Sequence, residues 1–480
     1  MAEKFYITTS IPYLNAPPHV GHALEFIQGD VLARYARLQG YNTYFLTGTD
    51  EHGAKIKRAA DAAGKDPQKF VDDLAKKFIN LTKALNISND DFIRTSDRKR
   101  HWPAAQKIWH RLAAAGDLYK KNYEGLYCVG HEAFIKKSEL EDGLCPIHKT
   151  EPEIIREENW FFKLTKYKNE IKKRIESNDF YIIPETRKQE VLNLLDDAED
   201  VSFSRPAKDL SWGIPVPDDS SQTMYVWADA LTNYISALGY IDDDKKFRTF
   251  WPADVHLIGK DILRFHAIIW PAILLSAGLE LPKAIYVHGF ITVDGQKMSK
   301  TLGNVIDPFN LVEKYGAETV RYFLLREIPS GDDGDFSSKN LETRYNSDLA
   351  DGIGNLAARI SALAEKETFK SGTIIDKDIL NKINEVRTKV GYDLKEFKLH
   401  EALAVIWDLI AFGNAYVNQN RIWETRDSQK IFSLVVLLDN IAYLLLPFLP
   451  QTAEKITQAI QWKNGVLQIH KGQNLFPRRL

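Results

Sequence analysis

Phe5-Tyr6-Ile7-Thr8, a turn running from Pro12 to Pro18, and then His19-Val20-Gly21-His22 at the head of a long amphipathic stretch form the part of the sequence that decides the fold. The apolar tetrapeptide reads as a buried strand that the prolines cannot continue. From Gly21 to Gln39, Leu24, Ile27, Val31, Tyr35 and Leu38 recur at intervals of three and four, which predicts a helix with one buried face. Gly40 ends it, and Tyr44-Phe45-Leu46 starts a second strand that runs into Thr47-Gly48-Thr49-Asp50-Glu51-His52-Gly53. Strand, helix, strand in this order predicts an α/β fold on a parallel sheet, whose ligands sit beyond the carboxyl ends of the strands. His19, His22 and Asp50 fall there.

A helix start offers unpaired N–H groups and a positive dipole end to an anion, Gly21 lets backbone approach a phosphate, and two imidazoles add donors. Lys297-Met298-Ser299-Lys300-Thr301 follows an Asp294-Gly295 turn and sets two ammonium groups three residues apart, suited to a leaving pyrophosphate. Either segment alone fits an ordinary surface. Together, with a strand before and a helix after the histidines, they predict an enzyme that holds ATP and directs attack on its α-phosphate.

At 480 residues the chain exceeds a single core, and 44% hydrophobic with 27% charged residues suits an ordinary globular protein of two or three domains. No uninterrupted apolar run reaches the ~18 residues of a membrane span, and the start enters a strand without a leader pattern, so a cytoplasmic location is expected. A net charge of −2 gives no global attraction to nucleic acid, leaving RNA contact to local patches and stacking. Cys128-x-x-His131 and Cys145-x-x-His148 use the only two cysteines, at zinc-ligand spacing.

Residues 1–115 carry the first half of the α/β pattern. Residues 116–208 change to short β-like pieces and read as an insertion. Residues 209–330 return to α/β, with Thr223 to Ala228, His256 to Asp261 and Ala284 to His288 as strand-like runs of the same sheet. Residues 331–480 are almost wholly helical, with a strand-like tail from Leu467.

These residues resemble the class I aminoacyl-tRNA synthetases, over nearly the whole chain and most closely their methionine-activating branch. His19-x-Gly-His22 is similar to the family's first signature and Lys297 to Thr301 to its second, with Thr301 where Ser is usual. The resemblance implies a Rossmann-like catalytic domain split by a small zinc-knuckle insertion and followed by an all-α anticodon-binding bundle. It implies ATP-dependent ligation of L-methionine to tRNA(Met) through methionyl-adenylate, with Mg2+ accompanying ATP, one structural Zn2+, no membrane, and a monomer.

By resemblance, His19, His22, Lys297 and Lys300 are catalytic, and Gly21, Gly259 and Asp261 join them around ATP. Ile11, Tyr13, Trp227, Ala230, Leu231, Tyr234, Ile262 and His266 surround the methionine side chain, with Asp50 on its ammonium; Leu231 stands where many relatives carry Pro. Cys128, His131, Cys145 and His148 are the zinc ligands, His131 replacing the more usual Cys. Asn355, Arg359 and Trp423 read the CAU anticodon by edge hydrogen bonds and stacking.

Three rivals are weighed. The nearest is a class I synthetase for another amino acid, such as leucine, isoleucine or cysteine, of which the large branched-chain enzymes need a longer editing insertion; a small nucleotidyltransferase has no use for the helical bundle, and a catalytically dead RNA-binding relative has no reason to keep His19, His22, Asp50, Lys297 and Lys300.

Overall fold

Strand β1 (Lys4–Thr9) lies inside a six-stranded sheet formed with β2 (Asn42–Thr49), β3 (Asp91–Arg94), β4 (Tyr181–Ile183), β5 (Val255–Gly259) and β6 (Ala284–His288). The order is β3-β2-β1-β5-β6-β4; β1 runs parallel to β2 and β5, β2 to β3, and β6 to β4. The computed structural model describes residues 3–479 except 132, 242–244, 299–302, 366, 371, 464–465 and 471–473. The chain forms two compact units, one of residues 1–18, 41–82 and 88–287, the other of 19–40, 83–87 and 288–480.

In the first unit Tyr6, Leu46, Ile93, Ile258, Ile285 and Val287 of the sheet are buried in one apolar cluster with Trp109, Phe162, Phe180 and Trp270. Fully buried side chains of this size each contribute roughly 1.5–3 kcal/mol of transfer free energy, so the sheet is a firm platform for the loops at its ends. The expected insertion carries an antiparallel four-stranded sheet in the order Ala133–Ile135, Leu118–Cys128, Glu153–Phe162, Val201–Ser202. Within the same stretch, β4 returns to the main sheet as its edge strand.

One strand expectation is corrected. Thr223 to Ala228 is no part of the parallel sheet: Asp219–Met224 pairs antiparallel with Ser204–Pro206 and Pro215–Val216, and Val226–Ala230 is a short helix. A short apolar run has no period that separates strand from helix, and here the chain changes state in its middle, at Tyr225.

The second unit contains helix α1 (Val20–Leu38), close to the predicted span, and the helical part of the chain. Its core includes Leu356, Ile360, Leu403, Ile406, Ile410, Leu434, Leu437 and Ile441. Arg321 is fully buried there and fully engaged: Asp30 accepts at 2.7 Å, and the carbonyls of Phe448, Leu85 and Pro447 at 2.8, 3.2 and 3.1 Å. Helix Ser428–Leu445 has the length and apolar composition of a membrane span, but 61% of it is buried inside the protein, as in a core helix. The strand-like tail is present as Val466–Ile469, which pairs with Ile460–Lys463 and Phe369–Lys370 in a small sheet, so the bundle is not purely helical.

Candidate active site

His19 is the N-cap of α1, and the helix start is closed by imidazoles where Ser and Glu would ordinarily serve. Gly21 N–H donates to His19 Nδ1 and His19 N–H donates to His22 Nδ1, both at 3.1 Å. Each Nδ1 is therefore an acceptor, and each ring carries its proton on Nε2. Burial lowers His19 to about 4 and takes His22 well below the ordinary histidine value, with His19 and His288 adding to the effect at His22. Both rings are neutral Nε2–H donors at neutral pH. A methyl on Gly21 would stand 2.9 Å from His19 Cε1 and 4.0 Å from Met298 Cε, so glycine leaves room for the ring, and the lysine segment begins beside it.

Lys297 ends a tight hairpin. Ile291–Val293 and Gln296–Lys297 are joined by Asp294 and Gly295 with φ of 49° and 76°, two left-handed residues that match the twist of paired strands. Asp335 Oδ1 accepts from Gly295 N–H at 2.8 Å and from Thr292 Oγ1 at 2.6 Å. Lys297 is exposed, its Nζ 5.7 Å from the Phe290 ring. Lys300 and Thr301, predicted in the same signature, lie outside the described residues.

In the first unit a small cavity is bounded by Ser10, Ile11, Asp50, Trp227, Ala230, Leu231, Asn233, Tyr234, Ile262 and His266. Apart from Tyr13, every residue predicted for the amino-acid site lines it. Tyr13 instead forms a parallel backbone bridge with Asp50, and Asp50 N–H donates to the Pro12 carbonyl at 2.9 Å, anchoring the backbone that carries the carboxylate. Neighbouring Glu51 is absorbed by structure: Arg94 grips it with two bonds of 2.7 and 2.8 Å.

The aromatic walls are ordered by hydrogen bonds and stacking. His266 Nδ1 donates to the Ile262 carbonyl at 3.0 Å, so Nε2 accepts from the Tyr234 hydroxyl at 2.6 Å, and burial lowers this histidine to about 4. His266 sits in a π-helical turn, Phe265–Ile269, the kind of local widening found at functional sites. Trp227 stacks on Phe265 at 3.8 Å and 8°. Aromatic surfaces of this kind suit a polarizable thioether. Gly259 ends β5, and Asp261 lies exposed in the turn just beyond it, where ligands of parallel sheets bind.

Cys128, His131, Cys145 and His148 converge, with all four donor atoms within 4.8 Å of one another. Cys128 Sγ to His148 Nδ1, Cys145 Sγ to His131 Nδ1 and Cys145 Sγ to His148 Nδ1 are each 3.6 Å. Bonds of ~2.3 Å to sulfur and ~2.0–2.1 Å to nitrogen at tetrahedral angles imply an S···N separation of about 3.6 Å. The donor set therefore fits one tetrahedral ion. Gly130 is required for it, because a methyl there would lie 2.3 Å from His148 Cγ.

In the helical unit Asn355 and Arg359 share a surface with Asn414, Asn418 and Trp423. Asn414 Oδ1 accepts from Asn355 at 3.3 Å, Asn418 Oδ1 accepts from Arg359 at 2.5 Å, and the guanidinium is 5.9 Å from the Trp423 ring. Trp423 is 48% exposed on a short helix, Ile422–Thr425, bounded by Arg421 and Arg426 in left-handed conformation. Asn414, Asn418, Ser10 and Asn233 stand beside the residues expected from sequence. The asparagine-rich run before Trp423 was visible in the sequence; Ser10 and Asn233 had no signal beyond adjacency to predicted residues.

A helix start capped by two imidazoles, a lysine hairpin, a small aromatic-walled pocket with a carboxylate and a polar, aromatic helical face are the features of a class I tRNA synthetase. The family model described as tRNA synthetases class I (M) matches residues 5–147 and 135–361, and that for the anticodon-binding domain of tRNA ligase matches 376–474. The chain is 43% identical to a methionine–tRNA ligase of Thermotoga maritima, covering 97% of this chain and 77% of that one. It is also 43% identical to one of Rhizobium meliloti, over 95% and 91%. Mycobacterium tuberculosis methionyl-tRNA synthetase in complex with methionyl-adenylate superposes with a TM-score of 0.93 at 39% identity, covering 99% of this chain and 100% of that one. The chain belongs to the methionine–tRNA ligase family.

Proposed function

We propose that the residues assembled above carry out the family's two-step reaction, ATP-dependent ligation of L-methionine to tRNA(Met). The methionine carboxylate oxygen attacks the α-phosphorus of ATP. The bond to the bridging oxygen breaks, pyrophosphate leaves with its electrons, and methionyl-adenylate remains. A ribose hydroxyl of the terminal tRNA adenosine then attacks the methionyl carbonyl, and AMP departs. Such transfers ask for positioning and charge stabilisation rather than covalent help from protein.

His19 and His22 donate through Nε2–H to phosphate oxygens, Lys297 and Lys300 offset charge on the departing pyrophosphate, and Gly21, Gly259 and Asp261 complete the nucleotide site. Magnesium accompanies ATP through its phosphates and supplies further charge neutralisation. Asp50 takes the methionine ammonium, and Ile11, Trp227, Ala230, Leu231, Tyr234, Ile262 and His266 enclose the side chain, with Tyr13 holding Asp50. Cys128, His131, Cys145 and His148 hold a structural zinc. Asn355, Arg359 and Trp423 read the anticodon. We place the enzyme in the cytoplasm, as a monomer, where translation consumes its product.

The observation that carries the assignment is the cavity that unites the Asp50 carboxylate with stacked aromatic walls. Amino-acid-dependent ATP–pyrophosphate exchange tests it. Exchange with methionine and not with leucine, isoleucine or cysteine is expected; exchange with leucine in place of methionine overturns it.

A further inference from the structure

Behind the amino-acid cavity lies a chain of buried polar groups that no step of the reaction uses. Asp229, fully buried on the helix Val226–Ala230, stands between the two pocket residues Trp227 and Ala230. Its two oxygens each face an imidazole: His52 Nδ1 is 2.6 Å from Oδ2, and His101 Nε2 is 2.7 Å from Oδ1. The other nitrogen of His101 lies 2.9 Å from Ser236 Oγ on the helix Asn233–Ser236. All four residues are buried.

We infer that Asp229 is a positioning residue for methionine, tying the Asp50 loop to the two short helices that form the walls of its pocket. His52 follows Asp50 by two residues; Asp229 shares its helix with Trp227 and Ala230; Ser236 shares its helix with Asn233 and Tyr234. The chain His52, Asp229, His101, Ser236 thus links four segments, and all but that of His101 carry pocket residues.

The bonding is directional. A carboxylate only accepts, so both facing nitrogens donate. Burial alone would raise the Asp229 carboxyl, yet the two imidazoles hold it below the ordinary carboxylate range. Among the described residues His52 Nε2 has no hydrogen-bond partner, and the ring packs edge-on against Trp102 and Trp212 at 5.7 and 5.4 Å.

An amide at position 229 keeps the shape but can accept from one imidazole only, turning an N–H toward the other. The Asp50 loop and the aromatic helix are then free to shift, and methionine binding loses the preorganisation of its pocket. The effect belongs to methionine rather than ATP. The inference rests on reading the cavity as the methionine site, so Asp50→Asn is measured alongside.

The experiment is steady-state ATP–pyrophosphate exchange on the full chain, varying methionine and ATP separately, with thermal melts of each variant. Asp229→Asn and His52→Ala should each raise KM for methionine about tenfold or more and leave KM for ATP within about twofold. The double variant should be no worse than the worse single one, because both changes sever one link. His52→Gln, which keeps a donor, should recover much of the methionine KM even if Asp229→Asn folds poorly. If Asp50→Asn raises the methionine KM while Asp229→Asn and His52→Ala do not, positioning by Asp229 is overturned and the pocket stands. A parallel loss in both KM values and kcat, or additive single effects, also overturns it, leaving a purely structural role. An unchanged methionine KM in Asp50→Asn instead defeats the reading of the pocket itself.

Discussion

The two histidines at the head of α1 are the clearest case of sequence chemistry refined by geometry. Their spacing marked them as phosphate donors, and the hydrogen bonds at both Nδ1 atoms say which nitrogen does the donating. Neutral rings have a consequence for pH. A histidine lowered to about 4 in the folded chain binds no proton between 4 and the unfolded value of about 6.5, whereas the unfolded chain does, so stability falls as pH drops through that window. His19→Asn should flatten part of that fall, seen as a smaller loss of Tm between pH 6.5 and 4; an unchanged slope refutes the neutral assignment. His266, lowered to about 4 by burial, adds to the same trend. Asn414 and Asn418 show the limit of reading residues singly: an asparagine in a helix has no mark that separates a solvated side chain from one that braces an arginine. Only the fold brings them to Arg359.

At the scale of elements, period and punctuation carried most of the reading. The α1 span was legible because Leu24, Ile27 and Val31 keep helical spacing and Gly40 stops it. The Thr223 to Ala228 run was misread because an apolar hexapeptide has no such spacing, and the antiparallel pairing with Ser204–Pro206 depends on residues far away. The helix start also has a testable tolerance. Gly21→Ala puts a methyl 2.9 Å from His19 Cε1 and must turn that ring, so kcat for pyrophosphate exchange should fall by about tenfold or more while methionine KM holds. The knuckles behave likewise. Metal analysis should find about one zinc per chain, and Gly130→Ala, by driving into His148, should lower that occupancy and loosen the fold around it. A fully folded, metal-free protein would refute the site.

At the scale of the molecule, the proposed methionine pocket and the proposed anticodon residues are set on different parts of the chain. The amino-acid cavity belongs to one compact unit, and Asn355, Arg359 and Trp423 belong to the other. Trp423→Ala should therefore weaken charging of tRNA, by roughly the 1–3 kcal/mol of one base stack, and leave pyrophosphate exchange untouched; equal losses in both assays remove it from anticodon reading. Why the chain divides where it does was not legible in sequence, since Arg321 reaches Asp30 and Leu85 across long sequence separations that no local pattern announces. The lysine hairpin has a bearing on how this enzyme ages. Asp-Gly bonds are the weak points at which proteins slowly rearrange to isoaspartate, when the glycine nitrogen attacks the neighbouring side-chain carboxyl. Here the Gly295 nitrogen donates to Asp335 Oδ1 at 2.8 Å, and that bond must break before the nitrogen can attack Asp294, which should slow rearrangement at the tip that presents Lys297.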